Sequence, residues 1–297
     1  PVLEEWHRLH GIVQDGDGLF MNQRHYVQKI IERYGLQDAN TSPTPADTSV
    51  VLVKDDGHSK PVDPSMYQAM IGSLLYVALA TRPDIAQAVG ALAKFNSCPT
   101  ESHLTAVKRV FRYLKGTSDM GLKFTKELSS LEGFSDSDWA GDRDDRHSTS
   151  GYVFLLSGSS VTWMSKKQPI VALSTSEAEY VALSSATQEA IWARALLSDL
   201  GVSIKEPTQL WEDNQGAICI AKNPVNHSRT KHIDVRYHFI REAVKGGDVK
   251  LDYCPTKEMV ADILTKPLPK DRFVYLRTKL GVTKFSSTLE ASGGEEE

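Results

Sequence analysis

Gly133-Phe134-Ser135-Asp136-Ser137-Asp138-Trp139-Ala140-Gly141-Asp142 sets two carboxylates two residues apart among aromatic and small residues. Side chains alternate between faces along a strand. As a strand, the stretch puts Phe134, Asp136 and Asp138 on one face and Ser135, Ser137 and Trp139 on the other. A carboxylate inside a strand works against strand formation, and burying one is costly unless something pairs with it. A divalent cation would be such a partner. The same Ser and Asp residues also form turns, so the stretch alone leaves strand and surface turn both open.

Downstream of it the pattern is of strands and helices in alternation. Strands are expected over 131–139, 150–156 and 161–166, then a long helix over 176–200 stopped by Gly201. A short strand over 209–212, a helix over 214–221, a helix over 234–244 and a strand over 249–253 follow. Residues 259–264 read as a helical run ended by Pro267, and a last helix spans 270–280. Three strands, a helix, then strand and helix in alternation make an α/β layer domain.

Three more acids stand out in that layout. Asp213 lies where a strand hands over to a helix, the usual ligand position in open α/β sheets, though an acid there also serves as a helix cap. On the long helix, the steps from Glu179 meet Leu183, Ala186, Ala190, Ala193 and Leu197. The steps from Glu177 meet Val181, Ser184, Gln188 and Asp199, a wetter face. Glu179 is therefore aimed at the sheet and Glu177 at solvent. Asp262 sits within the apolar run Val260-Ala261-Asp262-Ile263-Leu264, either turned inward or on that run's outer face.

Upstream, a hairpin is expected around Asp15-Gly16-Asp17-Gly18, then a helix carrying Val27, Ile30, Ile31 and Tyr34 and stopped by Gly35. Residues 38–62, rich in proline, read as a long loop. Asp63-Pro64 starts a helix, Pro83 a second, and Thr100 a third. The third carries Lys108, Arg109, Arg112 and Lys115 on one side, a solvated face or a phosphate-contacting one. This half holds no carboxylate pair suited to catalysis. A composition change near 125–130 sets the expected boundaries: 1–125, 126–285 and a disordered tail over 286–297.

The chain has 297 residues, 40% hydrophobic and 24% charged, with a net charge of −4. That describes a soluble globular protein without an overall basic coat, although basic residues outnumber acidic ones between Lys222 and Lys250. Cys98, Cys219 and Cys254 form no CxxC pair, which implies reduced thiols, no structural zinc and an intracellular protein. No signal peptide is visible, and the most apolar run, 70–80, is too short to span a bilayer. No membrane partner is expected. The chain starts on Pro1, as a fragment or processed product would.

The order Asp, Glu, Asp, Asp on strand, helix, strand end and helical run resembles the ribonuclease H fold. The stretches 135–142, 148–152, 165–168, 174–180, 213–215, 229–234 and 261–268 are similar to the ribonuclease H domain of copia-type retrotransposon polyproteins. Tyr67–Tyr76, Thr81-Arg82-Pro83-Asp84-Ile85 and Tyr113-Leu114-Lys115-Gly116-Thr117 resemble the segment that joins polymerase to ribonuclease H in that family. The resemblance implies a ribonuclease H-like mixed sheet flanked by helices, preceded by a mainly helical reverse-transcriptase C-terminal region of thumb or connection type.

The resemblance further implies metal-dependent endonucleolytic hydrolysis of the RNA strand of RNA–DNA hybrids. The metal-binding and catalytic acids would be Asp136, Glu179, Asp213 and Asp262, with two Mg²⁺ ions roughly 4 Å apart, replaceable by Mn²⁺. Hard oxygen ligands suit those ions. From their positions beside the acids, Ser135, Ser137, Asn214 and Gln215 would reach sugar hydroxyls, and Lys231 and Arg236 would track phosphates. The partners implied are the hybrid and the rest of the reverse-transcriptase polyprotein, in a cytoplasmic virus-like particle or the nucleus. Two departures matter. The family's polymerase aspartate pair is absent, so no DNA synthesis is expected of this chain. The loop Tyr253-Cys254-Pro255-Thr256-Lys257 lacks the histidine that cellular ribonucleases H carry before the last acid; His232 is near in sequence but reads better as a helix-capping or core residue. The competing readings are an inactive remnant that binds nucleic acid or serves as structure, and a transposase-type nuclease. The second would place the Glu last rather than second.

Overall fold

The computed structural model describes residues 11–16, 18–202, 204–222 and 231–284. Turn residues fold β1 (Gly11–Asp15) back on β2 (Gly18–Asn22) as an antiparallel hairpin. Helix α1 (Arg24–Arg33) buries Val27, Ile30 and Ile31 and is followed by Gly35 at φ +65°. The Asp63 side chain accepts from the backbone N–H groups of Ser65 and Met66 and starts α2 (Pro64–Ala80), with proline at a position that needs no donor. A 3₁₀ turn, Pro83–Ile85, leads into α3 (Ala86–Ala93), and α4 (Glu101–Gly116) closes the helical part.

The basic side of α4 has local partners. Arg109 pairs with Asp47 at 2.9 Å, Arg112 Nε donates to the Asn40 carbonyl and Lys115 Nζ to the Ala39 carbonyl. Three of its four cations thus fasten the proline-rich loop to the helix and are not a bare phosphate track.

Two sheets divide the strands. The first has the order β1-β2-β3-β9, with β3 (Met120–Thr125) antiparallel to both β2 and β9 (Val282–Lys284). The second is built of β4 (Glu132–Asp138), β5 (Thr149–Leu156), β6 (Ser159–Lys167), β7 (Thr208–Glu212) and β8 (Val249–Tyr253), in the order β6-β5-β4-β7-β8. There β4 is antiparallel to β5 and parallel to β7, and β7 is parallel to β8. An antiparallel β6-β5-β4 meander continued by two parallel strands, with α5 (Thr175–Asp199) packed on one face, is the ribonuclease H arrangement. Helices α6 (Gln215–Lys222) and α7 (Lys231–Gly246) fill the crossover between β7 and β8.

Alternation along the strands separates two cores. Tyr152, Phe154 and Leu210 face α5 and pack with Tyr180, Leu183 and Ala186. Phe134, Val153 and Leu155 face the other way and join one cluster with Leu74, Val107 and Phe111 of the helical part. Val260, Ile263, Leu276 and Leu280 close the same cluster, the last two around α8 (Lys270–Lys279). The expected boundary at 125/126 therefore does not divide two cores. The sheet needs a cover on its second face, and the helical part provides it. Residues 282–284, which fall inside the expected second region, form β9 and return to the first sheet. The tail over 286–297 lies outside the described residues.

Candidate active site

Asp136 lies near the C-terminal end of β4, on the face that Phe134 shares, and is 2% exposed. Its register partner is Gly151 on β5. A Cβ there would sit 2.8 Å from Thr265 Cγ2 and 2.9 Å from Leu264 Cβ. Glycine is what lets the 3₁₀ turn Val260–Leu264 and the following Thr265 close down over the aspartate. Thr265 Oγ1 then donates to Asp136 Oδ2, and Lys266 Nζ lies 3.6 Å from the same oxygen.

The parallel register Ser135↔Glu212 brings the end of β7 level with Asp136, so Asp213 follows directly beside it. Asp213 Oδ2 accepts from Thr256 Oγ1 at 2.7 Å. Glu179 comes from the first turns of α5, whose start Ser174 caps by accepting from the Glu177 N–H. It is 4% exposed, and its Oε2 has no hydrogen-bond partner. One carboxylate oxygen from each of Asp136, Glu179 and Asp213 lies within 4.8 Å of the others.

Burial and like charge govern this group. Burial, then the charges of Glu212, Asp136 and Asp213, push the Glu179 carboxyl up to about 11. Burial raises Asp136 to about 6, with Asp262 and Asp213 adding to the rise and Lys266 and Thr265 opposing it. The donors are all carboxylate oxygens, and one of them is buried without a partner. This set fits a hard divalent cation such as Mg²⁺ or Mn²⁺.

The fourth expected acid is held otherwise. Asp262 is 4% exposed, with Lys266 Nζ 2.7 Å from its Oδ1 and Arg272 Nη2 3.1 Å from its Oδ2. It lies beside Asp136 but outside the three-acid group found among the described residues. Burial alone would lower the Lys266 ammonium, yet Asp136 and Asp262 hold it above the ordinary lysine range.

The residues expected at the sugar and phosphates are placed unevenly. Ser135 is fully buried and donates to Glu212 Oε2 at 3.2 Å, so it supports that acid and cannot meet a sugar hydroxyl. Ser137 is 5% exposed, and its Oγ has no hydrogen-bond partner. Asn214 Oδ1 accepts from the Ala217 N–H and from Ser176 Oγ, capping α6, while Gln215 is exposed beside it. Arg236 is half-buried against the Val181 carbonyl. Lys231 opens α7, but its side chain and that of His232 lie outside the described residues.

Glu212, Thr265, Lys266 and Arg272 were not expected at the site. Glu212 is fully buried and accepts from Ser135 Oγ and the Asn214 N–H. Burial raises its carboxyl well above the ordinary range; the backbone N–H of Asn214 opposes the rise, and the charges of Asp136 and Asp213 add to it. Strand alternation over Thr208, Leu210 and Glu212 was the available signal.

No protein-family model matches the chain. A retrovirus-related Pol polyprotein from transposon RE1 of Arabidopsis thaliana is 42% identical over 268 residues, 90% of this chain and 18% of that protein. One from transposon TNT 1-94 of Nicotiana tabacum is 40% identical over 272 residues, 89% of this chain and 20% of that protein. Among solved structures, LC11-RNase H1 in complex with an RNA/DNA hybrid is similar at 14% identity and a TM-score of 0.35, covering 46% of this chain and 94% of that one. The chain spans about a fifth of the length of the curated relatives it matches. Along nine-tenths of its length the chain is 40–42% identical to one segment of copia-type retrotransposon Pol polyproteins.

Proposed function

We propose that the chain hydrolyses the RNA strand of RNA–DNA hybrids in a divalent-metal-dependent reaction, as the ribonuclease H part of a Pol polyprotein. The observation that carries this reading is the convergence of Asp136, Glu179 and Asp213 at the end of the two central parallel strands, with a buried carboxylate oxygen left unpartnered. Such a group is unfavourable by itself and becomes favourable with a cation. A bound divalent ion would supply Lewis acidity, lowering the pKa of a water and neutralising the scissile phosphate.

The chain's own residues fix the geometry. Asp136 is the most rigid of the three, because strand pairing holds its backbone and Thr265 holds its side chain. Burial and the neighbouring acids favour the protonated form of Glu179, which would have to give up its proton to hold a cation. Ser137, Asn214 and Gln215 adjoin the acids in sequence and are the candidates to meet a ribose. Contacts there to the 2′-OH would choose RNA over DNA with little base reading. No described helix is long and apolar enough to cross a membrane. The reading places the protein with the rest of the polyprotein, in a cytoplasmic particle or the nucleus.

The test is incubation of the chain with end-labelled hybrid and Mg²⁺, beside single-stranded RNA and double-stranded DNA. RNA fragments from the hybrid alone, abolished by EDTA, are the expected result. No cleavage, or equal cleavage of single-stranded RNA, would remove the assignment.

A further inference from the structure

Val50 and Val51, in the proline-rich segment before α2, are 51% and 57% exposed, and both line a cavity of about 530 Å³. The cavity lies in the seam between the two parts of the chain. Its walls are α3, α4, the segment 45–52, the loop after β4 and the end of β6. Two contacts hold those walls together. Lys94, just after α3, pairs with Asp142 at 2.8 Å, and the Lys54 N–H donates to the two oxygens of Asp144 at 3.1 and 3.2 Å. One end of the cavity reaches the acid cluster. Asp138 lines it, and so does Thr265, whose hydroxyl donates to Asp136 Oδ2.

Most of the charge in the lining is already matched. Asp47 is paired with Arg109 at 2.9 Å, and Asp142 with both Lys94 and Lys167 at 2.8 Å. Lys167 also pairs with Asp145, and Arg112 donates to the Asn40 carbonyl. Arg143 and Lys166 are left over: both are exposed, and neither forms an ion pair among the described residues. The remaining acid of the lining, Asp138, has the charges of Lys266 and Lys94 close by. The unmatched charge is therefore positive, which suits phosphates. Free cations beside exposed valines match the alternation of phosphate and base along an unpaired strand. Pockets of roughly 300–1,000 Å³ hold single small ligands. A duplex is too large for this one, and a stretch of one strand is not.

We infer, on the nuclease reading above, that the seam cavity binds an unpaired nucleic-acid strand, with phosphates on Arg143 and Lys166 and a base against Val50 and Val51. Because the cavity ends at Asp138 and Thr265, that strand is the single-stranded continuation of a substrate whose paired part lies at the acids. The helical part then takes part in substrate choice besides covering the sheet, and a hybrid with an overhang is held better than a blunt one.

The experiment reads binding in EDTA, so that it does not depend on cleavage. Fluorescence anisotropy on the full chain compares labelled oligothymidylate, a blunt RNA–DNA hybrid, and the same hybrid carrying an oligothymidylate extension at each of its ends in turn, over a range of KCl concentrations. Circular dichroism confirms that each variant is folded. Free oligothymidylate should bind, and an extension at one end of the hybrid should tighten binding about tenfold. In the double variant Arg143→Ala/Lys166→Ala that gain should be lost. The salt slope for oligothymidylate should fall by about 1.4 in the same variant, roughly 0.7 for each of two phosphates. Val51→Ser should weaken oligothymidylate binding about threefold through lost apolar contact and leave the slope unchanged. Equal affinity for blunt hybrid and for every extended one would overturn the inference and leave the nuclease reading standing. So would a gain from the extension that the double variant keeps. The gain without cleavage of any hybrid in Mg²⁺ would instead remove the nuclease reading, and the substrate role of the cavity with it.

Discussion

Arg82 and Asp84 in the helical part, and Asp136 and Glu179 in the ribonuclease H sheet, are all at most 4% exposed. Their charges are handled in opposite ways. Arg82 Nε and Nη2 grip the two oxygens of Asp84 at 2.9 and 2.8 Å, a bidentate pair. Its Nη1 and Nη2 also donate to the Thr117 carbonyl and Oγ1, and Tyr113 OH donates to Asp84 Oδ2 at 2.5 Å. Burial pushes Asp84 up, but the Arg82 guanidinium, the Tyr113 hydroxyl and the Arg277 charge together more than offset it and hold the carboxyl below its ordinary value. At the other site the three acids repel one another, and Glu179 Oε2 makes no close hydrogen bond, with only the Ser137 hydroxyl nearby to favour its charge. Equal burial thus separates a closed electrostatic fastening from an open one. The first ties α4 to the turn before α3, and Arg277 of α8 reaches the same Tyr113 hydroxyl. The second is incomplete without a cation.

Removing a member of the open cluster should have the largest effect, and on activity alone. Asp136→Asn keeps the shape and deletes one charge. Cleavage of hybrid should fall by at least about a thousandfold, equivalent to about 4 kcal/mol of transition-state stabilisation. In EDTA the same variant should melt no lower than the parent, because a repulsive charge has gone. Undiminished cleavage, or a clear loss of metal-free stability, would mean that Asp136 belongs with the fastening type.

The closed pair should respond in the reverse sense. Arg82→Met leaves Asp84 buried without its partner, which typically costs about 3–5 kcal/mol. Urea denaturation should show that loss, while Mn²⁺ affinity per folded molecule stays unchanged. A stable Arg82→Met protein would show that the Tyr113 hydroxyl and the nearby Arg277 charge are enough for Asp84.

The two sites also carry opposite pH signatures. Asp136 at about 6 and Glu179 at about 11 bind protons more tightly in the folded state than in the unfolded chain, where carboxyls titrate near 4. Between those limits the folded metal-free protein holds more protons, so its stability falls as pH rises through the window. Asp84 is depressed, so its contribution is present above about pH 4 and lost as pH falls through its folded value. In EDTA the melting temperature should therefore drop from pH 4.5 to 8, and saturating Mg²⁺ should oppose the drop increasingly toward pH 8. Glu179→Gln should flatten the EDTA profile. A profile in EDTA that is flat for the parent, or equally steep for Glu179→Gln, would show that the cluster is not what titrates.

Asp136, Glu179 and Asp213 each stand on a local pattern, namely strand alternation, a helical stripe and a strand end, but the first and last of these also fit a turn and a helix cap, and the family resemblance is what grouped the three. Glu212 obeyed the same alternation but was overshadowed by the acid next to it. Lys266 and Arg272 could not be read in this way. Only the spacing of Asp262 and Lys266 is local; the approach of both to Asp136 depends on Gly151 admitting the 3₁₀ turn. The pairing of β3 with β9 joins segments far apart in the chain through a three-residue strand, too short to announce itself. The basic side of α4 looked free for phosphates because its partners, Asn40, Ala39 and Asp47, come from a loop without periodicity.

The smallest effect is expected at Glu177, and it is the sharpest check on how α5 is oriented. Glu177 and Glu179 are two residues apart, hence about 200° around the helix. Glu179 turns into the cluster, while Glu177 stays at the helix start. There its N–H donates to Ser174 Oγ at 3.2 Å, and its Oε2 accepts from the Leu173 N–H at 2.8 Å. Glu177→Gln keeps an acceptor oxygen for that N–H and loses only a favourable charge at the positive end of the helix dipole, worth about 0.3–1 kcal/mol. Its melting temperature should fall slightly, and cleavage rate and Mn²⁺ affinity should stay within about twofold of the parent. Glu179→Gln, assayed beside it, should lose metal affinity and cleavage together. Matching losses in the two variants would mean that the charge of the helix start, rather than a carboxylate reaching the metal, is what α5 contributes to the site.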